Sequence, residues 1–150
     1  MVDPLIINVR RDIMEILHPM FGMIVLSGLL VMSLFISRLG PIVKFWGNLQ
    51  FAQHSEDLRP KLPRRLRLIT DNHNHLMEQP TLFYATCAYI FMIGHSDSFH
   101  LLLAWSYVAI RIAHSCIQLT TNNVSYRALS FGLSSACLVA MIIREVISFF

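Results

Sequence analysis

Polar and ionisable side chains interrupt a long apolar segment in the middle of the chain. Asp71, His75 and Glu78 follow one another at intervals of four and three residues, and Asn72 adjoins the first of them. On a helix this spacing forms one stripe, with Asn72 at its edge. A charge inside a membrane span costs at least about 2.5–3.5 kcal/mol, so such residues usually face a bundle interior or a water-filled cavity. The stripe therefore predicts a polar site between helices.

Two further polar groups occur on the apolar segments nearer the C-terminus. Arg111, His114 and Gln118 share one sector of the third segment, and Tyr126 and Arg127 begin the fourth. All the polar groups are expected at the same, cytoplasmic end of their helices, which predicts one shared site. Arginine and glutamate side chains in a site of low dielectric bind ligand groups of opposite charge.

The same residues also allow structural interpretations. Glu78 and Arg111 would form an interhelical ion pair that fixes packing, with Asn72 and Gln118 as hydrogen-bonding contacts between helices. Arg127, close to a helix start, would bind phospholipid headgroups.

A metal site is a further alternative. His75 and Glu78 stand one turn apart, and His114 would supply a third ligand from a neighbouring helix. Arg111 in the same region opposes a bound cation, and no matching ligand pair occurs elsewhere in the sequence. We therefore predict that the site holds no metal.

The composition of the chain indicates the environment in which these polar groups lie. The chain has 150 residues, of which 55% are apolar and only 14% charged, whereas soluble domains average about 25% charged. The net charge is +3, and the basic residues mostly lie between apolar segments. This distribution favours membrane flanks and excludes a nucleic-acid-binding surface.

Four segments are apolar and long enough to span a bilayer, which takes about 20 residues of helix. They cover about residues 14–36, 66–93, 98–119 and 124–149. The first is expected to end at Arg38, because Gly40 and Pro41 follow it, and Pro80 is expected to kink the second. The sequence thus predicts an all-α, four-transmembrane-helix bundle that forms a single domain over residues 1–150.

The topology follows from the basic residues. The loop over residues 38–65 and its flank are rich in arginine and lysine, at Arg38, Lys44, Arg59, Lys61, Arg64, Arg65 and Arg67. Cytoplasmic loops carry such an excess, so this loop is predicted to be cytoplasmic and both termini to lie on the other side.

Three motifs together resemble the MAPEG superfamily, the membrane-associated proteins in eicosanoid and glutathione metabolism. They are Asn72 with the run from Leu76 to Tyr84, the run from Tyr107 to Ser115, and the pair Tyr126-Arg127. Their order, and the spacing of sixteen positions from Arg111 to Arg127, match the family. The resemblance covers about Leu17 to Ile143.

The resemblance implies a homotrimer with active sites between subunits and reduced glutathione as co-substrate. Arg127 would lie near the thiol as the catalytic residue, Glu78 would meet the amino group, and Arg111 would support Glu78 or a carboxylate. The other implied glutathione-binding residues are His75, Asn72, His114, Gln118 and Tyr126. A glutathione transferase or peroxidase acting on a lipophilic electrophile is the implied function, with the chain itself, membrane lipids and a hydrophobic small molecule as partners.

The sequence departs from many family members at three positions. Many members have a basic residue where this chain has Asp71, an asparagine where it has His75 and a tyrosine where it has Gln118. Asp71 places a carboxylate where a ligand carboxylate would bind, which predicts weaker glutathione binding. The alternative function is therefore a non-catalytic membrane protein that binds lipid or serves as a subunit of a larger complex. The pattern resembles bacterial members, which implies a bacterial inner membrane with periplasmic termini.

Overall fold

The structure, a computed structural model, describes residues 14–46, 60, 62–148 and 150. Within these residues there are five helices and no strand. In chain order they are α1 (Leu17–Trp46), α2 (Arg64–Glu78), α3 (Pro80–Ile93), α4 (Ser98–Leu119) and α5 (Val124–Ser148). The prediction of an all-α chain is confirmed.

Three of the predicted spans are helices of sufficient length and apolarity to cross a membrane. They are Leu17–Gly40, Ser98–Leu119 and Val124–Ser148. Large apolar side chains are exposed along all three, among them Phe35, Leu102 and Val139. Such a surface is suited to contact with lipid or with neighbouring subunits, because exposing large apolar side chains to water costs free energy.

The second predicted span differs from the expectation of one continuous, kinked helix. It consists of α2, with 15 residues, and α3, with 14 residues, separated at Gln79. Pro80 has no N–H to donate to the preceding turn, so it ends one helix and begins the next. The backbone amides of Leu82 and Phe83 both donate to the Gln79 carbonyl, at 3.1 and 3.2 Å.

The break between α2 and α3 is held against α5 by the Gln79 side chain. Its Nε2 donates to Ser135 Oγ at 2.6 Å, and its Oε1 accepts from Ser134 Oγ at 3.5 Å. The bond to Ser135 is the firmer of the two, because the Ser134 hydroxyl has one proton and also donates to the Phe131 carbonyl at 2.9 Å.

The first helix continues beyond Arg38, where the sequence analysis expected it to end. It passes through Gly40 and Pro41 and reaches Trp46. Proline removes one hydrogen bond and crowds the preceding turn, but its φ is helical, so a long helix can continue through it as a local irregularity. The segment apolar enough to cross a membrane nevertheless ends at Gly40.

The core lies where α1 and α3 pack against the long hairpin that α4 and α5 form. The rings of Phe83 and Tyr107 stack with centroids 4.2 Å apart. Met23, Cys87 and Met141 are fully buried with them. This core fixes the spacing of α4 and α5, two of the three helices that carry the predicted site, whereas no described residue of α2 belongs to it.

Ionisable residues connect the start of α4 with the end of α5, at the end of the hairpin that is farther from the α4–α5 turn. Asp97 caps α4 by accepting from the His100 amide at 2.8 Å, and it forms an ion pair with Arg144 near the end of α5. Glu145, beside Arg144, contacts both His95 and His100. We call these five residues the hairpin-end cluster. It holds the loop before α4 against the end of α5.

Candidate functional site

A cavity of about 350 Å³ lies where the end of α2, the second half of α4 and the start of α5 come together. Four of its lining residues are ionisable and belong to the predicted site: His75, Glu78, His114 and Arg127. The rest of the wall is apolar and consists of Val124, Ala128 and Phe131. The structure therefore brings together residues that are far apart in the sequence.

The acidic group of the cavity is Glu78 in the last turn of α2. Its Oε1 lies 3.5 Å from Nδ1 of His75, and the two side chains are 55% and 44% exposed. Because the carboxylate is half exposed, it can reach a ligand amine without first being freed from a buried pair.

Arg111 is fully buried behind the cavity wall. Its Nη2 donates to the backbone carbonyl of His75 at 3.3 Å, in the last turn of α2, where carbonyls lack helical partners. The guanidinium carbon lies 5.9 Å from the ring centroids of both Tyr107 and Phe131. Within the described residues Glu78 forms its ion pair with His75, so Arg111 positions α2 through the backbone.

The remaining nitrogens of Arg111 matter for binding. Its Nε and Nη1 are buried and have no hydrogen-bond partner in the part of the chain that the structure describes. A buried guanidinium with unpaired N–H groups costs free energy unless an anion or ordered water meets them.

Arg127 is positioned by the turn before α5. Its Nη1 donates to Asn122 Oδ1 at 2.8 Å, and Asn122 adopts a left-handed conformation with a φ of 51°. Asn123 Oδ1 caps the helix by accepting from the amide of Tyr126 at 3.3 Å. Arg127 has no carboxylate partner among the described residues, and its buried Nε has no hydrogen-bond partner there. Its charge is therefore available to a ligand.

The tautomer of His114 follows from its neighbour Ser130. The Ser130 hydroxyl lies 2.9 Å from the Tyr126 carbonyl and 3.0 Å from that of Arg127, so its only proton is donated to the backbone. Nδ1 of His114, 3.0 Å from the same hydroxyl oxygen, must then be the donor. In the neutral ring Nε2 is consequently an acceptor, and it is buried without a partner among the described residues.

The other predicted site residues do not line the cavity. Asn72 and Gln118 are fully buried, and both amide groups lack hydrogen-bond partners in the described chain. Tyr126 is 62% exposed and contributes a backbone carbonyl to Ser130. His75, Glu78 and His114 are close to one cavity, but no three His, Cys, Asp or Glu side chains in the described ranges are arranged to hold a metal ion.

Sequence reasoning missed Ser130, Asn122 and Phe131. Ser130 and Phe131 follow Arg127 by three and four residues, so helical spacing alone would have placed them on its face. Asn122 gave no comparable signal, because its role depends on a left-handed turn.

Comparison with known proteins agrees with this architecture. No curated protein and no solved structure matches the chain. The model of the MAPEG family matches residues 16–147, which include all of α1 to α4 and all of α5 except Ser148. With three helices able to cross a membrane and this match over most of its length, the chain is an integral membrane protein that belongs to the MAPEG family, whose members act in eicosanoid and glutathione metabolism.

Proposed function

We propose that this protein is a glutathione-dependent membrane transferase or peroxidase that acts on a lipophilic electrophile or hydroperoxide. One observation carries the proposal. Arg127, a cation without a carboxylate partner among the described residues, lines the same cavity as Glu78, His75 and His114. This combination of charges suits a small zwitterionic peptide better than a purely apolar ligand.

The residues present fit the charges of glutathione. The amine would bind the half-exposed Glu78, and one carboxylate would bind the guanidinium of Arg127, which lines the cavity. Arg111, buried behind the wall, would meet a carboxylate only if ligand binding opened that wall. Nε2 of His114 would accept a hydrogen bond from an N–H or S–H group. Asn72, Gln118 and Tyr126 would contribute only if a second chain or ligand binding rearranged the site.

Arg127 is the residue we assign to catalysis. Glutathione, when bound, supplies the thiolate that attacks the electrophile. A guanidinium next to the sulfur lowers the free energy of the charged form, which favours thiolate over thiol. Asn122 holds one end of that guanidinium, and the buried Nε would meet the ligand only if binding moved the side chain.

The apolar part of the wall supports a lipophilic second substrate. Val124, Ala128 and Phe131 are on α5, whose outer surface is apolar. An electrophile dissolved in the bilayer would reach the cavity along this helix without crossing water.

We also propose that the protein functions as a homotrimer, in which a second chain covers the open side of the cavity. The exposed Glu78 and Tyr126 would then lie near a subunit boundary. The positive-inside rule supports a cytoplasmic position for the site, and we propose a bacterial inner membrane with both termini periplasmic.

Titration of the purified, detergent-solubilised protein with reduced glutathione, followed by thiolate absorbance, tests this function. We expect a saturable signal that Arg127→Ala removes. Arg67→Ala is the matched control, because Arg67 is an exposed arginine of α2 that does not line the cavity. A signal of normal size in Arg127→Ala would exclude Arg127 as the thiolate-stabilising residue.

The second candidate is a non-catalytic membrane protein that binds lipid or forms part of a larger complex. It is favoured by Asp71 on the face of α2 that carries Glu78, and by the burial of Gln118 away from the cavity. No thiolate signal at millimolar glutathione would support this candidate over the enzyme.

A further inference from the structure

A second cavity, of about 740 Å³, lies near the start of α2 and shares no residue with the candidate site. It is bounded by α1, α2 and the end of α4. Its lining consists of Leu30, Ser33, Arg64, Arg65, Leu68, Ile69, Leu119, Thr120 and Thr121. The lining thus combines two arginines with four leucine and isoleucine side chains.

The two arginines of this lining have no side-chain partner among the residues that the structure describes. Arg64 and Arg65 are exposed, and neither forms a hydrogen bond or ion pair through its side chain with another described residue. They occupy the first turn of α2, which contains no acidic residue and has no side-chain cap. The positive end of the helix dipole therefore adds to the two guanidinium charges.

The hydroxyl groups on the wall do not offset this charge. Thr120 and Thr121 donate to carbonyls of α4 in the turn before them, at 2.7 and 3.5 Å. Ser33 donates to the Leu29 carbonyl at 2.8 Å. The positive charges are thus the dominant polar feature of the cavity.

Two of the apolar lining residues belong to helices that are able to cross a membrane. Leu30 belongs to the apolar segment Leu17–Gly40, and Leu119 is the last residue of the segment Ser98–Leu119. Leu30 precedes the end of its segment by ten residues, which is about 15 Å of helix. A ligand that filled the cavity would contact both the arginines of α2 and apolar side chains of these two segments.

We propose that this cavity binds an anionic phospholipid. The phosphate would pair with Arg64 and Arg65, and an acyl chain would pack along Leu30, Leu68 and Leu119. A soluble phosphate would leave the apolar wall uncovered, and a zwitterionic lipid would bring its own cation next to two arginines. Basic pockets between membrane helices bind anionic headgroups for the same reasons.

The test measures thermal stability of the purified, detergent-solubilised full chain with added phosphatidylglycerol, phosphatidylcholine or inorganic phosphate. We expect a saturable rise in Tm with phosphatidylglycerol and little change with the other two. In the double variant Arg64→Gln/Arg65→Gln the apparent affinity should fall at least tenfold. Arg67→Gln should retain it, because Arg67 lies on the same helix outside the cavity.

A second variant addresses the apolar wall. Ser33→Phe places a large side chain in the cavity from an exposed position on α1 and leaves both arginines in place. We expect it to weaken phosphatidylglycerol binding as well. Equal stabilisation by inorganic phosphate would identify a small-anion site only, and equal stabilisation by phosphatidylcholine would show that the arginines do not select the ligand. Either result, or an equal loss in Arg67→Gln, would overturn the proposal.

Discussion

Nε2 of His100 lies 3.3 Å from Oε1 of Glu145, and both side chains are almost completely buried. Nδ1 of the same ring lies 3.1 Å from the His95 carbonyl and 3.1 Å from Oδ1 of Asp97, both of which are acceptors. Nδ1 is therefore the donor to these two acceptors, and Nε2 faces the carboxylate of Glu145. The distance is that of an ion pair, although the alignment is not that of a hydrogen bond.

This relationship predicts coupling between His100 and Glu145. His100→Leu should lower stability by about 1.5–3 kcal/mol, because it removes a partner of a buried carboxylate. The loss is moderated by His95, whose Nδ1 remains 3.2 Å from Glu145 Oε2. The measurement is thermal unfolding in detergent.

The matched control is the double variant His100→Leu/Glu145→Leu. Replacing both members of a buried polar pair with apolar residues is often neutral or stabilising, so the double variant should recover most of the lost Tm. Losses that simply add in the double variant would show that the two side chains are not coupled.

The ion pair of Asp97 with Arg144 predicts a dependence of stability on acid pH. Partial burial opposes ionisation of Asp97, but the His100 amide and the charges of His100 and Arg144 lower its pKa below the usual 3.8. A carboxyl whose pKa is lowered on folding stabilises the protein above its unfolded pKa, and this contribution is lost as the pH falls through the folded pKa. Tm should therefore fall below pH 3.8.

Asp97→Asn isolates this effect. Asparagine still caps a helix, so α4 keeps its N-terminal hydrogen bond while the titrating carboxyl is removed. We expect a lower Tm at neutral pH and a smaller decrease between neutral pH and pH 3. Glu145, His95 and His100 face the same cluster and remain in this variant. An acid-induced decrease of the original size in Asp97→Asn would assign it to those groups.

Ser130→Ala should weaken glutathione binding by about 1 kcal/mol, or roughly fivefold, which is the typical contribution of one hydrogen bond. The hydroxyl accepts from Nδ1 of His114 and so fixes the tautomer that leaves Nε2 as an acceptor. Without it the ring can carry its proton on either nitrogen. The thiolate titration measures the change.

Ser135→Ala is the control for Ser130→Ala. Ser135 is on the same helix and bonds to Gln79 at the break between α2 and α3, but it does not line the cavity. We expect it to lower Tm and to leave the glutathione affinity unchanged. Equal effects of the two serine variants on binding would mean that Ser130 acts only through packing.

The helical architecture could be predicted because apolar segments of the length of α4 and α5 have few alternative structures. The end of α1 could not be predicted in this way. Pro41 removes only one backbone hydrogen bond, and the surrounding packing determines whether the helix continues. Pro80 is the converse case, where the same residue type separates two helices. The two prolines differ in their surroundings, because Gln79 before Pro80 contacts serines of α5 at the break between α2 and α3.

Helical periodicity grouped His75 with Glu78 on one stripe of α2, and this stripe meets His114 of α4 and Arg127 of α5 at one cavity. It could not distinguish Asn72 and Gln118, which lie in the same sectors but deeper between helices. Separation along a helix axis and the rotation of neighbouring helices decide that difference, and neither is encoded in the spacing of one segment.

The buried guanidinium of Arg111 gives the last prediction. It forms one hydrogen bond, to the His75 carbonyl, while its Nε and Nη1 have no partner among the described residues. Burying a charge with so few compensating contacts costs more free energy than burying an apolar side chain of similar length. Arg111→Met should therefore leave the Tm of the ligand-free protein unchanged or raise it.

The same variant should lose the ligand. If Arg111 is retained because a bound carboxylate completes its contacts, glutathione should raise the Tm of the unchanged protein and not that of Arg111→Met. Leu103→Met, a substitution between apolar residues on α4, controls for the effect of methionine itself. A large fall in the ligand-free Tm of Arg111→Met would instead assign the guanidinium to packing, with the rings of Tyr107 and Phe131 as its principal contacts.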